Sequence, residues 1–142
     1  MKKYRIREDK TVTKEDRASA LHDQGCNCAQ AVLMAMQEYT GLEETVAASV
    51  ASGFGGGVKS GELCGAISGA VMAIGMNRGA ENRPQTYELD QLLTSAFREK
   101  FGAVRCEELK AAGIPCDDLI RFAAGKAEEL LSVQPETATP EE

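Results

Sequence analysis

The stretch GFGGGVKSGELCGAISGAVMAIGM, Gly53 to Met76, decides the fold. Its first part, Gly53 to Glu62, clusters glycine around Lys59 and Ser60 and reads as a loop, since glycine adopts backbone conformations that other residues avoid. Ser60 reads as the N-cap of a helix, because the apolar residues after it recur at three and four rather than at two. Gly65, Gly69 and Ala73 stand at successive four-residue intervals on one face of that helix. Glycine inside a helix costs about 1 kcal/mol against alanine, so two on one stripe predict a neighbouring backbone packed very close. The segment is therefore read as a central helix preceded by a glycine-rich loop. The small-residue stripe is a helix contact, either within the chain or across the two-fold axis of a homodimer.

The same period runs outward on both sides. A helix is predicted from Lys14 to His22, with Thr13 as N-cap, Glu15 and Asp16 in its first turn, and Gln24 and Gly25 at its end. Asn27, with Gln30 three residues on, starts a second helix that carries Val32, Leu33, Ala35 and Met36 to Tyr39 before Thr40 and Gly41 stop it. Glu43 to Ser52 reads as a third. Beyond the centre, Pro84 to Lys100 is amphipathic and buries Leu89, Leu92, Leu93, Ala96 and Phe97, ending at Phe101 and Gly102. A short helix from Cys106 to Gly113 follows. The last helix runs from Cys116 through Leu131, its start fixed by Pro115, since the residue before a proline avoids helical backbone. Met34, Met36, Met72 and Met76 read as core filler.

The reading is an all-α fold: one compact helical bundle of about six to seven helices over residues 13–132, expected to form a homodimer. A flexible segment, 1–12, precedes it and a disordered acidic tail, 133–142, ends it. The length of 142 residues suits a single domain, and 43% hydrophobic with 27% charged residues suits a globular one. No apolar run approaches the roughly 18 residues of a membrane span, so no membrane insertion is expected. The opening MKKYRIREDKTVTKEDR lacks the apolar stretch of a secretory signal, so the expected location is cytoplasmic. Sixteen Lys and Arg against 22 Asp and Glu give a net charge of -6, so no nucleic-acid partner is expected.

Five cysteines need an explanation, because a reducing cytosol makes structural disulfides uncommon. Four fall at predicted helix starts: Cys28 after Asn27, Cys64 one turn after Ser60, Cys106 before Glu107, and Cys116 after Pro115. A helix start carries about half a positive charge and unsatisfied N–H groups, which favour a thiolate and predict lowered thiol pKa values. Four such starts converging on one pocket would hold either an iron–sulfur cluster or a redox dithiol. Each cysteine alone also reads as a small buried hydrophobe. The spacing is not that of a zinc ribbon or a ferredoxin, since no C-x-x-C is present.

NCAQAV from Asn27, GFGGGVKSGELCGAISGAVMAIG from Gly53 and KFGAVRCEEL from Lys100, with the later Cys116, resemble the redox-active protein family named for its C_GCAxxG_C_C cysteine pattern. The resemblance spans roughly residues 20 to 131 and is most specific at CGAxxG, Cys64 to Gly69. It implies that Cys28, Cys64, Cys106 and Cys116 are the redox cysteines or metal ligands. Cys26 stands outside the pattern, as a spare thiol, a resolving partner for Cys28, or a buried substitute. The family is also similar to the cluster-bearing part of certain multihaem cytochromes, which implies an iron–sulfur centre. No C-x-x-C-H is present, so haem attachment is not supported.

Other features are weighed against this. The glycine cluster with Lys59 resembles a phosphate cradle only loosely, since it lacks a Walker pattern and a preceding strand. Its better reading is close backbone approach, with Gly55, Gly56, Gly57 and Gly65 donating N–H groups to sulfur. Glu62 is expected to serve its own helix start. His22, four residues before Cys26, is either part of a Cys–His set or a helix-end cap. Glu107, Glu108, Glu128 and Glu129 read as solvated faces. The expected function is electron transfer through an iron–sulfur cluster, exchanging electrons with a redox partner protein. The alternatives are a thiol–disulfide oxidoreductase or redox sensor using a metal-free cysteine pair, and a non-catalytic zinc-stabilised module.

Overall fold

In the computed structural model, which describes residues 12–132, the first two helices start as their capping residues dictate. The Thr13 hydroxyl accepts from the Asp16 N–H at 3.0 Å and starts α1 (Lys14–Asp23), which ends at Gln24. Asn27 and Gln30 form a reciprocal capping box, each side chain accepting the other's N–H at 2.9 Å, and start α2 (Cys28–Ala35). The predicted continuation to Tyr39 is interrupted. The Met36 N–H bonds back to Leu33 at 3.1 Å, a tightened turn, so Gln37–Thr40 forms a separate short helix, α3. Gly41, left-handed at φ 70°, closes it, and the Asn77 side chain takes up the Tyr39 carbonyl at 2.9 Å. α4 (Glu44–Ala51) follows and runs into one 3-10 turn, Ser52–Phe54.

The central helix, α5 (Gly65–Arg78), starts at Cys64 and not at Ser60. Gly56, Gly57, Val58 and Lys59 all have φ between 52° and 63°, and a left-handed run cannot lead straight into a right-handed helix. The chain resets after Gly61, and the Ser60 hydroxyl bonds instead to the Val58 carbonyl at 3.1 Å. α6 (Arg83–Phe101), α7 (Cys106–Ala111) and α8 (Cys116–Leu131) complete the bundle. Among the described residues the one β-type pairing is the bridge of Leu63 with Arg105.

α5 sits at the centre because its glycine face admits α2. A Cβ at Gly69 would lie 2.6 Å from the Ala29 carbonyl oxygen and 3.2 Å from Val32 Cβ. The small-residue stripe is thus occupied within the chain and does not argue for a homodimer. Ala66, Ile67, Ala70, Ala73 and Ile74 of α5 are fully buried, as are Ile120, Ala123, Ala124 and Ala127 of α8. α6 covers this core along a narrow line, burying Leu93 and Phe97, and Phe97 stacks on Phe101 at 4.9 Å and on Phe122 at 5.8 Å. Two predicted core residues lie outside. Leu92, one helical step from Leu93, is 49% exposed, and Met76, in the last turn of α5, is 47% exposed. The expected flexible segment, 1–12, falls outside the described residues except for Val12, and the expected tail, 133–142, does so entirely. Among the described residues no helix is long and apolar enough to cross a membrane.

Candidate redox site

Four helix starts meet at one cavity. Cys28 is the first residue of α2, Cys106 of α7 and Cys116 of α8, while Cys64 is the N-cap of α5. All four line a cavity of about 210 Å³ that is walled by Leu109, Ile114 and Leu119 and edged by His22, Asn27, Gly56, Lys59, Gly65 and Lys110. Backbone bonds hold two of the sulfur-bearing segments side by side: the Cys64 N–H donates to the Val104 carbonyl at 2.9 Å, and the Cys106 N–H donates to the Glu62 carbonyl at 2.6 Å. The Ile114 N–H donates to the Leu109 carbonyl at 3.2 Å, turning the chain so that Pro115 can deliver Cys116. Gly65 makes room for Cys28. A Cβ there would collide with the Cys28 sulfur and lie 2.7 Å from the Phe54 carbonyl oxygen.

The fifth cysteine lies elsewhere. Cys26 is 3% exposed, and its sulfur sits 3.9 Å from the Met34 sulfur in the core. His22 is at the cavity edge, so the histidine shares a wall with Cys28 and not with Cys26. Of the four glycines expected beside sulfur, Gly56 and Gly65 line the cavity. Gly55 instead faces the Asn27 side chain, where a Cβ would lie 2.9 Å away, and Gly57 faces the Glu62 backbone at 2.5 Å. The Ala66 and Ile67 amides act on the Cys64 sulfur. Glu62 does not serve its own helix start, since its carboxylate reaches Arg105 at 3.3 Å, as those of Glu107 and Glu108 do at 3.2 and 3.7 Å. Glu128 accepts from the Tyr39 hydroxyl at 3.2 Å.

The lowered thiol pKa values expected of helix starts are overturned at two positions. Burial pushes the Cys64 thiol from its ordinary 9.0 up to about 12, and the nearby Cys28 and Cys106 add to the shift, against the opposing Ala66 and Ile67 amides. Cys116 is also raised, by burial and by Cys28 and Cys106, with Lys110 opposing. Loss of hydration outweighs the helix-start field, and four neighbouring thiolates would repel one another. Among the described residues the cavity is lined by four thiols, one imidazole and no carboxylate, a soft sulfur and nitrogen donor set of the kind an iron–sulfur cluster or zinc takes. The donor types fit such a group. Among the described residues no group of three or more His, Cys, Asp or Glu stands as a metal-holding group.

Lys110 was not singled out from sequence, although its place four residues after Cys106, one turn on along the same helix face, was available as a signal. Leu109, Ile114 and Leu119 carried none, because apolar residues read as core.

Fold and site together define a class: an all-α domain whose helix starts gather four thiols on one cavity. The chain belongs to the C_GCAxxG_C_C family, whose model, described as "Putative redox-active protein (C_GCAxxG_C_C)", matches residues 26–130. No curated protein and no solved structure matches the chain.

Proposed function

We propose that this chain is an electron-transfer protein in which Cys28, Cys64, Cys106 and Cys116 hold an iron–sulfur cluster. The observation that carries this reading is the arrival of four thiols, from four separate helix starts, on the wall of one cavity. Core packing does not account for Cys28, Cys106 and Cys116, because a packing cysteine is buried, as Cys26 and Cys64 are, whereas Cys116 is exposed and Cys28 and Cys106 are half-buried. Bound there, a cluster supplies one-electron chemistry, taking an electron from a reduced partner and giving it to an oxidised one. The chain's own residues do the rest. The Asn27–Gln30 box fixes the start of α2 and so the place of Cys28, Gly65 leaves room for its sulfur, and the Ala66 and Ile67 amides direct N–H groups at Cys64. Leu109, Ile114 and Leu119 give the cavity an apolar wall.

The test is anaerobic purification followed by reconstitution with ferrous iron and sulfide. The expected product is brown, with broad visible absorption and matched iron and sulfide content. A colourless protein that takes up neither overturns the reading. One observation favours a second reading, since among the described residues no three donors are placed to hold a metal and a disulfide needs only two. In it two of these thiols form a disulfide as two electrons and two protons pass to an oxidised partner. Thiol counting before and after mild oxidant, with mapping of the bridge, separates the two. Stoichiometric zinc in a colourless protein that unfolds on chelation would point to a structural module instead.

A further inference from the structure

Among the described residues the cavity wall holds no Asp or Glu, yet it holds Lys59, Lys110 and His22. Four carboxylates close in sequence to the cysteines are engaged elsewhere. Glu62, Glu107 and Glu108 pair with Arg105, and Asp117 is held by the Ser19 hydroxyl at 2.7 Å and by Arg121 at 3.0 Å. Neither Lys59 nor Lys110 forms an ion pair with a carboxylate among the described residues. Lys59 is also set in place against its backbone preference. With Val58 it is one of two non-glycine residues at positive φ among the described residues, and its stem folds back to within 3.6 Å of the Cβ position of Gly56, itself on the cavity edge. Backbone strain of this kind persists where surrounding structure enforces it, commonly beside a functional site.

We infer that Lys59 and Lys110 form a cationic rim that admits small anionic molecules to the thiol cavity in preference to neutral ones. The inference rests on the reading of this cavity as the place where the sulfurs react, and it adds the charge class of what reaches them. A rim of one charge concentrates ligands of the other sign, more so where apolar walls focus the field.

The test uses the full, reduced, metal-free chain and two alkylating reagents of like size, anionic iodoacetate and neutral iodoacetamide. Rates at Cys28, Cys106 and Cys116 are read by peptide mapping and normalised to the same chain in urea. The expected iodoacetate-to-iodoacetamide ratio at low salt exceeds that of the unfolded chain. It falls roughly tenfold in a K59Q/K110Q double variant, survives in K59R/K110R, and collapses in 1 M salt. A ratio unchanged by K59Q/K110Q, or thiols that react with neither reagent until unfolded, overturns the inference. Circular dichroism confirms that each variant is folded. Iron and sulfide content of the same variants is measured separately, so loss of the redox reading and loss of the rim are told apart.

Discussion

At Gly65 one missing methyl group decides whether Cys28 can face Cys64. A Cβ there would strike the Cys28 sulfur and a backbone oxygen, and the backbone cannot swing aside as a flexible side chain can. Gly65→Ala is therefore expected to destabilise the protein by about 1–3 kcal/mol in urea unfolding and to abolish cofactor uptake. Val58 illustrates the opposite sign. It holds φ 52° and is 47% exposed, so Val58→Gly removes strain with little lost packing and should raise stability by about 1 kcal/mol. Proton linkage acts at the residue scale too. Cys64 rises from 9.0 to about 12, and Tyr39 rises from 10.0 to about 12 through burial and the adjacent Glu128. Both groups hold their protons more tightly folded than unfolded. Their contribution is complete below pH 9 and is lost as pH climbs towards 12, so the urea midpoint of the metal-free protein should fall over that range. A midpoint flat across it would contradict the assignment.

Helix ends were the most legible feature of this sequence where a side chain does the capping, and the least legible where backbone conformation does. Thr13, Asn27 with Gln30, and Pro115 are local signals, and the helices they start lie where those residues direct. Ser60 offers a good hydroxyl and reads as the start of α5, whereas the deciding fact is four consecutive left-handed residues, two of them not glycine. The break at Met36, where the N–H turns back to Leu33, and the exposure of Leu92 likewise carry no signal in the local apolar pattern. Of the site, the four cysteines and the need for small residues beside them could be read, while Lys110 and the apolar wall could not. Asn27 joins cap and site, since its amide also donates to the Ser52 carbonyl at 3.0 Å and ties the glycine loop to α2. Asn27→Ala is expected to cost about 1–2 kcal/mol in urea unfolding and to weaken cofactor retention, whereas Thr13→Ala should cost stability alone.

For the molecule as a whole, the bundle brings together sulfurs that the sequence spreads from position 28 to position 116, and the α2, α5 and α8 packing that does so is the same packing that forms the core. Stability and site assembly are therefore coupled, and a bound centre should stabilise the fold by mass action. The central claim is that Cys28, Cys64, Cys106 and Cys116 act as a single redox centre from which Cys26 is excluded. Iron and sulfide per chain, measured after anaerobic reconstitution of the wild type and of five single Cys→Ser variants, test it most directly. The account predicts full loading for the wild type and Cys26→Ser, and loss of loading in each of the other four. Wild-type loading in any of those four, or none in the wild type, would contradict it.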